Sequence, residues 1–193
     1  MSDADRERSR SGRPETELAP RSEVVYTIGH STHPIETFIA MLAAHGVRTL
    51  VDVRTIPGSR RNPQFGQEPL RRELERAGIG YRYMKELGGL RKTSEESVNT
   101  GWRNKSFRGY ADYMQTVGFA AAIDELIAIA AEDVTAIMCA EAVPWRCHRS
   151  LIADALSVRG ITAIDIIAGS RSRPHTLTSF ARVSGTAITY PPE

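Results

Sequence analysis

A mostly parallel, five-stranded α/β sheet with helices on both faces, a three-layer fold, is what this sequence predicts. Three observations carry that prediction. Short β-branched runs alternate with stretches of helical period, and the last two strand-like runs are almost continuously apolar, as strands buried on both faces are. A length of 193 residues suits one such domain.

The first strand is read at 24–28, a β-branched and aromatic run ending in Gly29 and His30. Pro34 opens a helix that puts Phe38, Ile39, Leu42 and Ala43 on one face, and Gly46 ends it. A second strand at 49–53 runs into a turn-rich segment with Pro57, Gly58, Pro63 and Gly66. Residues 67–77 read as a helix, and Gly78 and Gly80 bracket its exit into a third strand near 81–84. Residues 85–105 show no period, and a loop of that length in a compact domain is usually functional or mobile. Helical period returns over 107–131 with a break at Gly118, followed by a fourth strand at 134–139, a helix at 144–159 and a fifth strand at 161–167.

The domain is expected to span 23–168. Residues 1–22, rich in charge, Ser and Pro, read as a flexible tail because they offer too little apolar surface to order themselves. Residues 169–193 read as a small extension packing on the same domain, with 180–183 and 187–190 as a hairpin at the sheet's edge around Ser184 and Gly185.

The formal net charge of +2 conceals an uneven spread. Residues 54–108 hold thirteen Lys or Arg against six Asp or Glu, so a basic stretch sits in an otherwise acidic chain. Such a stretch fits an anionic partner, a small molecule or a nucleic acid. A solvated helix face explains Arg71, Arg72 and Arg76 equally well. Two cysteines and no apolar leader argue for a reducing, cytoplasmic setting, and no run is long enough to span a membrane. Self-association is compatible with the sequence.

The richest concentration of chemistry is MCAEAVPWRCHRS at 138–150, which holds both cysteines. It falls where the fourth strand meets the next helix, at the carboxyl edge where open α/β sheets bind ligands. Cys139 is the nucleophile candidate, Glu141 a general acid or base, and His148 a partner that holds a thiolate or moves a proton. Arg149 is expected to grip an anion near the helix start. Cys147 shares a helical face with Leu151 and Ala155, which favours a packing role.

The same edge collects residues from two other strands. His30 and Ser31 lie in TIGHSTHP at 27–34, His30 as an acid, base or phosphate partner and Ser31 as a substrate contact or helix cap. Asp52 and Arg54 lie in LVDVRTIPGSRRNPQF at 50–65, on one side of a strand where they pair with each other or reach the ligand. Arg60 in the following loop and Tyr83 at the third strand complete the expected substrate-binding set. There is no GxGxxG pattern, so no dinucleotide is expected, and no cofactor is assigned. Cys139, Cys147 and His148 with His30 or His33 would make a sulfur and nitrogen set, but the spacing matches no familiar zinc motif. Adjacent Cys147 and His148 would also ligate one ion poorly from a helix, so no metal is assigned.

Those motifs, with YRYMKELGGLR at 81–91 and FRGYADYM at 107–114, resemble the prokaryotic family catalogued as domain of unknown function 488. The resemblance runs from Tyr26 to the YP near the carboxyl end. It implies signature positions at Gly29, His30, Ser31, Asp52, Arg54, Gly88, Gly89, Tyr110, Cys139, Glu141, Pro144, Cys147, His148 and Arg149, and it implies no reaction. Relatives commonly end the fifth strand in a histidine; this chain has Asp165, so a role for that histidine does not carry over. A fainter likeness to rhodanese sulfurtransferases would place their catalytic cysteine on Cys139. The separation of eight positions to Cys147, with Pro144 and Trp145 between, is unlike their short loop of amides.

The leading expectation is an enzyme, a hydrolase or transferase, acting on an anionic, phosphate-bearing substrate such as a nucleotide or nucleic acid. The alternatives are a nucleic-acid-binding module without catalysis, stacking bases on Tyr81, Tyr83, Trp102, Phe107 and Tyr110, and a sulfurtransferase using Cys139.

Overall fold

The computed structural model describes residues 24–58 and 60–192. The expected amino-terminal tail lies outside the described residues.

Five parallel strands form the body of the sheet: β1 (Val24–Gly29), β2 (Thr49–Asp52), β3 (Gly80–Tyr83), β4 (Thr135–Cys139) and β5 (Thr162–Ala168). A sixth strand, β6 (Arg171–Pro174), which the sequence does not suggest, pairs antiparallel with β5 and gives the order β3-β2-β4-β1-β5-β6. Its sequence RSRP has no apolar alternation, and all four residues are exposed. An edge position explains both, since Pro is confined to sheet edges and arginines there face water.

Helices α1 (Ile35–Ala44) and α2 (Gln67–Arg76) cover one face, and α3 (Lys105–Tyr113), α4 (Val117–Glu132) and α5 (Arg149–Ser157) cover the other. The predicted three layers are therefore present, with one core on each face of the sheet. The first joins Phe38, Leu42, Leu70 and Leu74 to Ile28, Leu50 and Met138. The second joins Phe119, Ile123, Leu126, Leu151 and Ile152 to Val25, Val51 and Ile137. In α1 the buried positions are Phe38, Met41 and Leu42, while Ala43 faces out. Among the described residues no single helix is long and apolar enough to cross a membrane.

Local chemistry sets the helix boundaries. The Asn104 side chain accepts from the Ser106 amide at the start of α3, and the Thr116 hydroxyl accepts from the Phe119 amide at the start of α4. The break expected at Gly118 therefore falls before it, at the Thr116 cap. The helix expected over 144–159 is also interrupted. Pro144–Arg146 forms one 3-10 turn, Cys147 is extended (φ −129°, ψ 146°), and α5 begins at Arg149.

Residues 88–104, irregular in backbone, are tied down by polar contacts. Asp112 of α3 accepts from the Ser94 amide, the Ser97 hydroxyl and the Asn99 side chain. Arg91 donates to the carbonyls of Gly88 and Glu86 and lies over the Tyr113 ring. The carboxyl-terminal hairpin is present as β7 (Arg182–Ser184) and β8 (Ala187–Thr189), but as a separate two-stranded sheet rather than at the main sheet's edge. Tyr190 after it is fully buried in the second core.

Candidate active site

The sheet register aligns three strand ends. Gly29 lies opposite Cys139 and Asp52 opposite Met138. The ladder continues past the strands, with the amides of His30, Ser31 and Val53 donating to the carbonyls of Cys139, Ala140 and Met138. Three loops are thus held side by side at the carboxyl edge. Between them and residues 89–90 and 106–107 lies a cavity of about 690 Å³, within the range of small-molecule sites.

Glycine makes this close approach possible. A Cβ on Gly29 would fall inside the main chain at Glu141. A Cβ on Gly89 would stand 2.5, 2.8 and 2.9 Å from Nδ1, Cγ and Cε1 of His148. Distances so nearly equal belong to a point above the ring plane, so Gly89 packs on the face of the imidazole. Ser31, at φ 47°, is the one non-glycine with positive φ among the described residues, and it lines the cavity.

On one wall, Asp52 is fully buried and holds Arg54 in a fork, from Nε to Oδ1 at 2.8 Å and from Nη2 to Oδ2 at 2.6 Å. The Arg54 amide and the Tyr81 hydroxyl also donate to that carboxylate. Burial alone would lower the guanidinium's pKa, but the Asp52 pairing outweighs it and the net shift is upward, so Arg54 stays charged. Its Nη1 lies 3.4 Å from Nε2 of His30. The His30 Nδ1–H donates to the Ser31 carbonyl at 2.8 Å, which leaves Nε2 as the acceptor. His30 stacks on Phe65 at 4.3 Å. Burial lowers its pKa to about 4, the Ser31 bond only partly opposing, so the ring is neutral near pH 7. With both nitrogens committed, His30 orients Arg54.

On the facing wall, Nε2 of His148 lies 3.1 Å from the Val53 carbonyl and must donate to it, so in the neutral ring the Nδ1 lone pair points the other way. Two thiols meet it, Cys147 Sγ at 3.6 Å and Cys139 Sγ at 3.9 Å. A hydrogen bond between the thiols draws Cys147 well below the ordinary thiol range and raises Cys139 well above it. Burial raises both, and the nearby Arg149 charge lowers both. The extended backbone at residue 147 turns its thiol toward Cys139 and the cavity, a placement that the expected helical packing role does not allow. Glu141, half-buried, faces the cavity; its Oε1 accepts from the Val143 amide at 3.2 Å.

His30, Ser31, Arg54, Cys139, Glu141 and His148 therefore line one cavity, with Asp52 immediately behind Arg54. Arg149 does not line it. It is fully buried, donating to the Thr27 hydroxyl and the Glu141 carbonyl, and Thr27 in turn donates to Asp165. The residue expected to grip an anion instead fixes the loop that carries Glu141. Tyr83 lies outside the lining, its hydroxyl donating to the Thr55 carbonyl. Arg60 is exposed and its neighbour Arg61 lines the cavity instead. Arg146 is a lining residue that the sequence reading did not single out; its place in WRCH was the available signal.

Of the five rings suggested for stacking on nucleic acid, Trp102, Phe107 and Tyr110 are taken up by packing within the protein. Trp102 packs against Phe107, Phe180 and Tyr190, and Tyr110 is fully buried with its hydroxyl on the Leu87 carbonyl. Of the loop amides that the rhodanese likeness would turn toward sulfur, those of Val143, Arg146 and Cys147 turn back onto their own loop, while that of Glu141 bonds the Cys139 thiol.

Comparison with curated proteins and with solved structures gives no match. A family model matches residues 34–156, which takes in the cavity lining except for residues 30–32, and by that match the chain belongs to the family described as Domain of unknown function DUF488.

Proposed function

We propose that this protein is an enzyme of the hydrolase or transferase kind that acts on an anionic, phosphate-bearing substrate in the cavity at the carboxyl ends of β1, β2 and β4. The observation that carries this reading is Arg54. Asp52 takes one Nε–H and one Nη2–H, and His30 faces one Nη1–H, so two of the five guanidinium donors are left for a ligand oxygen. A charged group fixed by its own buried carboxylate keeps its position whether or not a ligand is bound, which lowers the ordering cost of binding.

The rest of the cavity is consistent in sign. Arg61 and Arg146 line it against a single carboxylate, Glu141, whose second oxygen is available for proton transfer. The cavity volume of about 690 Å³ suits a nucleotide-sized ligand.

Calorimetric titration of the full chain with inorganic phosphate, pyrophosphate, adenine nucleotides and a short single-stranded oligonucleotide tests the proposal. Arg54→Met is expected to weaken phosphate-bearing ligands by about 10- to 100-fold, the worth of a charge-assisted hydrogen-bond pair. Equal binding by Arg54→Met and wild type, or no binding by any of these anions, overturns it. Salt-sensitive oligonucleotide binding that ignores Arg54 would favour the non-catalytic nucleic-acid module instead.

A further inference from the structure

Cys139, Cys147 and His148 bring two sulfurs and one ring nitrogen within 4.8 Å of one another. The two sulfur-to-nitrogen distances are 3.6 and 3.9 Å. With zinc bonds of about 2.3 Å to sulfur and about 2.0 Å to nitrogen, the edges of a tetrahedron are about 3.6 Å between S and N and about 3.8 Å between two sulfurs. The two sulfur-to-nitrogen edges are already close to that length, and the two sulfurs lie within 4.8 Å of each other.

We propose that Cys139, Cys147 and His148 Nδ1 are three ligands of one divalent zinc-type ion, with the fourth position left to a water or ligand oxygen from the cavity. This deepens the anionic-substrate reading and rests on it for what fills the fourth position. Two further features support the ion. The other imidazole nitrogen is committed to the Val53 carbonyl, the arrangement that fixes the tautomer and direction of a ligating histidine. Gly89 lies on the ring face and leaves the in-plane lone pair free. The objection that adjacent residues cannot share an ion from a helix is removed, because Cys147 is extended and α5 starts after His148. Two thiolates and an imidazole with an open position are the donor chemistry of catalytic zinc sites. On binding, the thiol protons leave to solvent, and two thiolates balance the ion's charge.

Cobalt(II) titration of the reduced, chelator-treated full chain provides the test. One equivalent is expected to give intense tetrahedral visible bands with a thiolate-to-cobalt charge-transfer band, all displaced by zinc. Cys139→Ser and Cys147→Ser should each remove roughly half of the charge transfer, one thiolate of two, and weaken binding by about tenfold or more. A measurement on wild type alone guards against misfolded variants: one equivalent of zinc should protect both cysteines from a thiol reagent, and a chelator should expose them again. Cobalt binding without charge transfer, charge transfer unchanged by both substitutions, or zinc that protects neither thiol overturns the site. Arg54→Met should keep the cobalt spectrum while losing phosphate affinity. A missing spectrum beside an intact Arg54 effect therefore sinks the metal and leaves the anion site standing.

Discussion

Two buried carboxylates do opposite things in this molecule. Asp154, on α5, is saturated: it accepts from His175 Nε2 at 2.7 Å, from the Thr178 amide and hydroxyl, and from the Tyr190 hydroxyl at 2.8 Å. Everything it touches belongs to the carboxyl-terminal extension, so its work is to bind that segment to the core. Asp52 also accepts several hydrogen bonds, but its main partner, Arg54, faces a cavity with donors to spare. Burial of a charge is common to both and marks neither as functional. What separates them is whether the network closes on itself or stops at an opening.

That contrast can be broken most sharply at Asp154. Replacement by Ala leaves His175, Thr178 and Tyr190 without an acceptor and is expected to cost about 3–5 kcal/mol in urea unfolding, with phosphate affinity of the folded protein near wild type. A large affinity loss at unchanged stability would reverse the assignment of the two networks.

The next effect belongs to His30 and depends on pH. Its folded pKa of about 4 lies below the unfolded value of 6.5. Between those values the unfolded chain takes up a proton that the folded chain refuses, so stability falls as pH drops from 6.5 to 4, and the group contributes no slope above 6.5. The loss is at most about 3 kcal/mol, and His30→Asn should lack it when unfolding midpoints are compared across that range in metal-free protein. Parallel profiles for the two proteins would show that His30 is not held neutral.

Arg54→Met is smaller in ligand affinity, about 1.5–3 kcal/mol read on the folded protein, and it also lowers stability because the buried Asp52 carboxylate loses its cation. Smallest is Tyr83→Phe, which removes one half-buried hydrogen bond to the Thr55 carbonyl and should cost about 1 kcal/mol of stability with affinity unchanged. A strong affinity effect there would return Tyr83 to the binding set.

Most of the sheet was legible because buried parallel strands carry an apolar signal of their own, and the same strand ends pointed to His30, Arg54, Cys139 and Glu141. Arg149 misled because its sequence neighbours suggest a helix start facing a ligand, whereas its partners Thr27 and Glu141 are set by tertiary packing. Strand β6 has no apolar period to read, since an edge strand needs none. Residues 88–104 gain their order from Asp112 and from Asn99, contacts between segments far apart in the chain. Cys147 turned on a single residue of backbone: as a helical residue it would face the core, and as an extended one it meets Cys139.

The bond from the Tyr190 amide to the Asn99 side chain has a consequence for how the protein is made. The loop that places Gly89 over His148 is anchored at Asn99, and its anchor is synthesised about ninety residues later. A ribosome that has released the five parallel strands has made the frame of the cavity but not the clamp on its wall. Until residue 190 emerges, the loop over both thiols and the imidazole is held by Asp112 and Arg91 but lacks its tie at Asn99, so a chain terminated after β5 would hold that wall less firmly.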